Sequence, residues 1–393
     1  MELHALTPIE DINRRIGKIK ALLTENNIDA ILLTDNANIY YTLGRVMSGW
    51  VYIPATEAPI YFVRRPEGLK GDNVSYIHKP ELIPGILAER GYAMPATIGL
   101  ELGTSAYLAV NRLKAVFPDA TLADASAIMR AARSVKTEFE LQQLRHSAVK
   151  HVAVYSRIPQ LFRAGMSDIE LQIELERMLR LEGNLGQFRV SGESMEIFMA
   201  NILTGNNADN PTPYDFAMGG AGLDPSLPVG ANGSIIKPGS AVMVDANGNF
   251  TGYMTDMTRV FSYGALSDLA MRAHQCSITI CRELEKMGCP GVKASALYEK
   301  AMEIVREAGL EANFMGYTQK AGFIGHGIGI EINEAPVIAP RSRDILTVNN
   351  VIALEPKFVI PGVGAVGIEN TYVVTENGME RITDAPEEII NFE

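Results

Sequence analysis

The sequence predicts an α+β protein with a smaller α/β domain at its N-terminal end, and three observations predict it. The first third alternates helix and strand signals, as a small α/β domain does. From about residue 134 onward, helices give way to a long run of strands and turns that carries the conspicuous polar motifs. The chain has 393 residues, 47% hydrophobic and 21% charged, which is material for one small and one large domain. The division is expected at 133/134, giving domains 1–133 and 134–393.

The elements follow in order. Ile12 to Asn26 carries Ile16, Ile19, Leu22 and Leu23 at helical spacing. Ala30 to Thr34, Val51 to Ile53, Ile60 to Val63 and Thr97 to Leu100 read as strands, and Asn111 to Val116 as helix. No glycine fingerprint follows any of these strands, so no dinucleotide site is expected. Ala125 to Leu144 reads as one long polar helix that runs on through His146 and His151 and opens the second domain. Ser167 and Glu170 form a capping-box pattern ahead of the next helix, which Gly183 stops. Strands are expected at Ile235 to Asn247 and Met254 to Tyr263, and helices at Ser267 to Met287 and Ala294 to Ala308. Ile328 to Ile332, Val351 to Phe358 and Val366 to Val374 complete the reading as strands.

Bulk properties exclude several functions. A formal charge of −11 argues against nucleic acid and against adsorption to anionic membrane. No basic, then apolar, leader opens the chain, and no apolar run nears the ~18 residues of a spanning helix. Cys276, Cys281 and Cys289 form neither a disulfide framework nor a thiolate metal pattern. A cytoplasmic enzyme is the expectation.

Three segments carry chemistry. In AVMVDANGNFTGYMTDMTRVF an apolar strand ends on Asp245, a turn at Asn247 and Gly248 reverses the chain, and the return strand presents Asp256. Two carboxylates brought together this way repel unless a cation or proton separates them, or unless they face water. In GFIGHGIGIEINEAP, His326 sits between Gly325 and Gly327, where backbone and ligand can approach closely. In VIALEPKFVIPGVGAVGIENTYVV, Glu355 and Glu369 stand in β-rich sequence, where an acid is either exposed or paired. Together these are four carboxylates and an imidazole, a donor set suited to Mn²⁺, Fe²⁺, Co²⁺ or Zn²⁺.

This order of Asp, Asp, His, Glu and Glu resembles the pita-bread metalloenzymes: methionine aminopeptidase, Xaa-Pro aminopeptidase, prolidase and the metal-free creatinase. The family wording D-x-x-G…G-Y-x-x-D-x-T-R is similar to Asp245–Gly248 and Gly252–Arg259. G-H-G-I-G-L-x-x-H-E-x-P resembles Gly325–Pro336, and E-P-G…G…x-I-E-x-T resembles Glu355–Thr371. The resemblance implies a C-terminal pita-bread domain behind a creatinase-like N-terminal domain, in a homodimer of the aminopeptidase P-like branch. It implies two divalent ions, with Asp245 on one, Asp256 and Glu369 bridging, and His326 and Glu355 completing the second. Glu355 would also shuttle the proton of an attacking water.

The pattern also breaks. Two imidazoles that usually serve the substrate in this family's peptidases are replaced by Thr212 and Asn333, and the Arg often found before the last Ile-Glu is Gly367. Loss of one transition-state donor typically costs about 2.7–4 kcal/mol. Asn333 keeps a hydrogen-bonding role without proton transfer. The loop Ile202 to Gly222 is expected over the metals, with Thr212, Tyr214, Asn206, Asn207 and Asp209 as its substrate candidates. The first functional expectation is an Xaa-Pro aminopeptidase or dipeptidase-like hydrolase acting on a small peptide. The alternatives are a non-peptide amide hydrolase or lyase on the same metal site, and a non-catalytic binding protein.

Overall fold

A computed structural model describes residues 6–192, 196–216 and 218–392, and the chain divides into two compact units, Met1–Arg133 and Ser134–Glu393.

The first unit is built on six strands: β1 (Ala30–Leu33), β2 (Ser48–Pro54), β3 (Ile60–Arg65), β4 (Val74–Tyr76), β5 (Thr97–Leu100) and β6 (Thr121–Asp124), in the order β4-β3-β2-β1-β5-β6. All four residues of β1 are buried, as a central strand covered on both faces requires. Helices α1 (Ile9–Glu25), α2 (Asn36–Leu43), α3 (Ile83–Glu89), α4 (Tyr107–Val116) and α5 (Ser126–Ser134) supply the cover. Ile98, Leu100, Phe62 and Leu87 belong to its core.

The long helix expected from Ala125 is two helices. The second, α6 (Glu138–Tyr155), starts afresh at Thr137, whose hydroxyl accepts from the Glu140 amide while the Glu140 carboxylate accepts from the Thr137 amide. That capping box was readable in Thr137-Glu138-Phe139-Glu140, and it stops the preceding helix from running through. The equivalent box at Ser167 opens α7 (Asp168–Leu181), and Gly183 follows at φ +97°.

In the second unit β7 (Ala200–Thr204), β8 (Ser240–Asn249) and β9 (Met254–Tyr263) form one antiparallel sheet, extended by the C-terminal strand introduced below. The β8–β9 hairpin differs from expectation at its tip. Asn247 and Gly248 remain inside the ladder, opposite Asp256 and Thr255, and the chain reverses over residues 250–253, where Gly252 takes φ +87°.

Helices α8 (Asp268–Met287) and α9 (Ala294–Glu307) precede the last strands. These are β10 (Gly325–Gly327), β11 (Glu334–Ile338), β12 (Val351–Leu354), β13 (Lys357–Ile360), β14 (Gly364–Gly367), β15 (Asn370–Thr375), β16 (Gly378–Arg381) and β17 (Ile390–Asn391). They pair as β11-β10-β12-β15-β16 and as β13-β14, with β17 lying parallel to β9. Ile328 to Ile332, expected as strand, is bend and turn between β10 and β11. The two long strands expected at 351–358 and 366–374 are each interrupted, at Glu355-Pro356 and at Ile368-Glu369. Helices α6 and α7 bury Val154, Leu171 and Leu175 against Val242, Val244 and Phe261. Helices α8 and α9 bury Ile280, Leu284 and Leu297 with Leu354, Phe358 and Val366. Among the described residues no helix is long and apolar enough to cross a membrane.

Candidate active site

The β8–β9 register sets the first acids. Asp245 faces Thr258 and Asn247 faces Asp256, so alternation brings Asp245, Asn247, Asp256 and Thr258 to one face of the hairpin. Glu355 and Glu369 come from the two interruptions. Leu354 pairs with Asn370 in one ladder and Lys357 with Gly367 in the next, leaving Glu355-Pro356 opposite Ile368-Glu369 between them. Pro356 has no amide hydrogen to continue the ladder. His326 is the middle residue of β10, opposite Val337 and Ala353. A Cβ at Gly325 would lie 2.6 Å from the Ala353 oxygen, and one at Gly327 would lie 2.1 Å from the Ala335 oxygen. Only glycine on both sides lets the neighbouring strands close around the imidazole.

The five residues expected as metal ligands therefore meet. They form two overlapping triads, Asp256, His326 and Glu369, and Asp245, Glu355 and Glu369, with the donor atoms of each within 4.8 Å of one another. His326 Nε2 lies 3.4 Å from Glu355 Oε1, and its Nδ1 faces the Gly327 carbonyl at 3.1 Å.

A residue that the sequence reading passed over stands in the second triad. Lys357, whose side chain is fully buried, places its Nζ 2.8 Å from Asp245 Oδ2, 2.8 Å from Glu355 Oε2 and 3.1 Å from Glu369 Oε2. The signal was available, since the family's E-P-G reads Glu355-Pro356-Lys357 here. It faces Gly367, the position where the family often carries Arg, so both departures fall on one cross-strand pair. A Cβ at Gly367 would sit 2.7 Å from the Pro356 oxygen and 3.0 Å from the Lys357 Cα.

Charge and burial set the protonation pattern. Burial alone would lower the Lys357 pKa, but Asp245, Glu355 and Glu369 reverse that and hold it well above the ordinary lysine value. Burial works to raise Glu355, yet the Lys357 charge and the His326 contact outweigh it and bring it down to about 2. Glu369 is pushed up to about 7, first by burial and then by the neighbouring Glu355 charge. Asp256 is raised well above the carboxylate range by burial and by Glu369 and Asp245. For His326 burial works downward, and the Glu355 hydrogen bond and charge carry the net shift upward.

The two triads differ in their fitness for a divalent ion. Glu369 Oε2 accepts from Thr258 Oγ1 at 2.8 Å as well as from Lys357, whereas its Oε1 is buried without a hydrogen-bond partner. An orphaned carboxylate oxygen beside Asp256 and His326 fits one cation of the Mn²⁺, Co²⁺, Fe²⁺ or Zn²⁺ kind. The oxygens of Asp245, Glu355 and Glu369 that would ligate a second ion already surround the ammonium, and a metal bound at ~2.0–2.2 Å from them would need its space. That position does not fit an ion while Lys357 is seated.

A cavity of about 370 Å³ opens onto this cluster. Phe188, Phe198, Met199, Phe216, Met218 and Phe323 supply apolar wall, while Asp245, Asn247, Asp256, His326, Glu355 and Glu369 line its polar end. Asn333 lies on the wall, but its amide is spent: Oδ1 accepts from the Ser191 amide at 2.7 Å and Nδ2 donates to the Ser191 carbonyl at 2.6 Å. It fixes the Ser191 segment rather than reaching into the cavity.

The substrate-side candidates of the loop, Thr212, Tyr214, Asn207 and Asp209, do not line this cavity. Thr212, Tyr214 and Asp209 line an adjoining small pocket, which shares Asp215, Phe216 and Met218 with the main cavity. Thr212 donates to the Pro228 carbonyl, Tyr214 to Glu196 Oε2, and Asp209 accepts from the Thr318 amide and hydroxyl. Asn207 is buried and bonded to Asp168 and Gly230, and Asn206 accepts from the Gly362 amide. The loop does reach the main cavity, through Asp215, Phe216 and Met218, with Ala217 outside the described residues. Sequence reading also missed Asn247, taken as a turn residue, whose buried side-chain oxygen and nitrogen both lack a partner on the protein. The other helix imidazoles are not in the cavity. His146 is exposed, His151 contacts Thr255, and His274 bonds the Glu387 carbonyl.

Comparison with known proteins agrees with this architecture. Residues 142–376 match the model of metallopeptidase family M24, and residues 15–135 that of the creatinase/prolidase N-terminal domain. An uncharacterized peptidase, YqhT, of Bacillus subtilis (strain 168) is 26% identical over 96% of this chain and 99% of its own. An Xaa-Pro dipeptidase of Pyrococcus furiosus is 24% identical over 96% and 100%. Among solved structures, an Xaa-Pro dipeptidase from Bacillus anthracis superposes with a TM-score of 0.79, at 24% identity, covering 97% of this chain and 99% of that one. The fold is thus a creatinase-like N-terminal domain followed by a pita-bread domain, and the chain belongs to metallopeptidase family M24.

Proposed function

We propose that this chain hydrolyses the amide bond of a small substrate, an Xaa-Pro dipeptide or a compound of similar size, at the end of the apolar cavity. The observation that carries this reading is the apolar-walled cavity of about 370 Å³ ending on Asp256, His326, Glu369 and Glu355. That is room for a compact apolar molecule with a polar end, as small-ligand sites usually provide. The names of the relatives point the same way, since several are Xaa-Pro dipeptidases.

Asp256, His326 and Glu369 would hold a divalent ion, and when bound it would supply Lewis-acid polarisation of a carbonyl and activation of water. The chain's own residues do the rest. Glu355, kept ionised by Lys357 and His326, is placed to accept a proton from water. Asn247 offers one donor and one acceptor to the substrate, and the phenylalanines exclude solvent. Asn333 anchors the wall through Ser191. We take the enzyme to be a homodimer, as the sequence resemblance implies, and cytoplasmic, from its cysteine usage.

A second reading, a non-peptide amide hydrolase or a lyase, is favoured by one specific observation: neither Thr212 nor Asn333 turns a free polar group toward the cavity. Release of proline from Xaa-Pro dipeptides with Mn²⁺ or Co²⁺ decides between them. The first reading expects release at ordinary enzymatic rates. No release at any metal loading, with turnover of a small cyclic or N-substituted amide, gives the second.

A further inference from the structure

We infer that the ammonium group of Lys357 is a built-in substitute for one of the two metal ions, so that this chain holds a single divalent cation. The cluster joins Asp245, Asp256, Glu355 and Glu369 with His326, and three buried carboxylates beside a half-buried fourth are tolerable only with positive charge among them. One unit of that charge is part of the sequence. Lys357 Nζ contacts one oxygen from each of Asp245, Glu355 and Glu369, the same three residues that make up the second donor triad. The coincidence is complete, residue for residue.

The lysine cannot readily leave. Its side chain is fully buried and ranks among the largest such side chains in the molecule. It projects from a strand paired at Phe358, Val359 and Ile360 with β14. Withdrawing it would strand three acids and leave a buried ammonium without its partners. Gly367 opposite provides the complement, because a Cβ there would crowd the Pro356 oxygen and the Lys357 Cα.

The other half of the cluster remains suited to a cation. Glu369 spends Oε2 on Lys357 and Thr258 and keeps Oε1 without a partner, beside Asp256 and His326. A single side chain thus serves a fixed cation with one oxygen and an exchangeable one with the other. This inference rests on the reading of the cluster as a cation site and not on the identity of the substrate.

The test is metal stoichiometry. Wild type, Lys357→Gly and Lys357→Met are freed of metal, titrated with Mn²⁺ by calorimetry, and the bound ion is counted by elemental analysis. The expected result is one ion per chain in wild type and two in each variant. In addition, an exchange-coupled Mn²⁺ pair signal by electron paramagnetic resonance is expected in the variants only. Two ions in wild type overturn the inference while leaving the metal-hydrolase reading intact. A variant that folds and gains no ion also overturns it. No ion in wild type or either variant removes the cation-site reading and the inference together. Because the wild-type count is itself decisive, poor folding of a variant does not shield the claim.

Discussion

Glu369 divides the acidic cluster into two halves that look alike in sequence and differ in physics. On the Asp245 and Glu355 side, one oxygen each of Asp245, Glu355 and Glu369 meets the Lys357 ammonium at 2.8–3.1 Å. On the Asp256 and His326 side, Glu369 Oε1 is buried and bare. One half is charge-compensated by a lysine of the chain itself, and the other carries no such internal cation among the described residues. The difference teaches that the pita-bread donor set and the number of cations it holds are separate properties. On the inference drawn above, the first would be carried by five ligand positions and the second by one residue between them.

The largest expected effect comes from removing the fixed charge. Lys357→Met in chelator leaves three acids around an uncharged side chain, and breaking a buried ion pair this way costs about 3–5 kcal/mol. Urea unfolding in chelator is expected to reveal that loss, and saturating Mn²⁺ to recover much of it by binding the folded state. Equal stability of variant and wild type without metal would erase the distinction between the halves.

Behind the same hairpin lies a second contrast. The site face of β8–β9 carries charge, whereas its back carries His151, fully buried, with Nδ1 at 3.1 Å from Thr255 Oγ1. Burial, and then the Arg259 charge, lower the His151 pKa to about 3. The unfolded chain binds this proton near the ordinary value of 6.5 and the folded chain does not until about 3. Between those values the unfolded state holds more protons, so stability falls as pH drops from 6.5 toward 3. The loss from this one group is on the order of 5 kcal/mol. His151→Gln is expected to flatten the slope of unfolding free energy against pH in that window. An unchanged slope would move acid sensitivity to the carboxylate side.

Much of this was legible in the sequence, for definite reasons. Asp245, Asp256, His326, Glu355 and Glu369 stood out as a set, because each alone has an ordinary structural use, whereas four carboxylates and an imidazole in this order make a metal donor set and resemble a known family. The helix caps at Ser167 and Gly183 were local chemistry and were read correctly, while the same chemistry at Thr137 was overlooked inside a continuous helical pattern. Lys357 was lost because an alternating strand normally turns a lysine to water, and burial of this one depends on acids 12 and 112 positions away. Thr212, Tyr214, Asn207 and Asp209 were named because they lie in the right loop, but nothing local reports which loop residues turn inward. Asn247 looked like a turn residue because Asn-Gly is a strong turn signal, and only the ladder with Asp256 and Thr255 overrules it.

The two halves should also separate by affinity. Asp256→Asn removes a ligand from the ion-binding half and is expected to weaken Mn²⁺ by about a hundredfold, roughly 2.7 kcal/mol. Asp245→Asn touches only the lysine half, and its Mn²⁺ affinity is expected to stay within about tenfold of wild type. Calorimetric titration measures both. Similar losses in the two variants would mean that the cation is shared across the whole cluster.

The smallest effect is the most specific. Asn247 sits on the site face opposite Asp256, with its main-chain groups bonded to Met199 and Asn184 and neither side-chain polar atom bonded to protein. A buried amide left in that state costs about 1–3 kcal/mol. Retaining it works against stability and is sensible for binding, since a substrate amide, with one donor and one acceptor, could satisfy both atoms at once. Asn247→Leu, close in shape, is therefore expected to stabilise the free protein by about 1 kcal/mol. On a turned-over substrate it is expected to raise KM about tenfold with a much smaller change in kcat, because the contact is made before the transition state. A stabilised variant with unchanged KM would assign Asn247 to the scaffold and leave the cluster alone to orient the substrate.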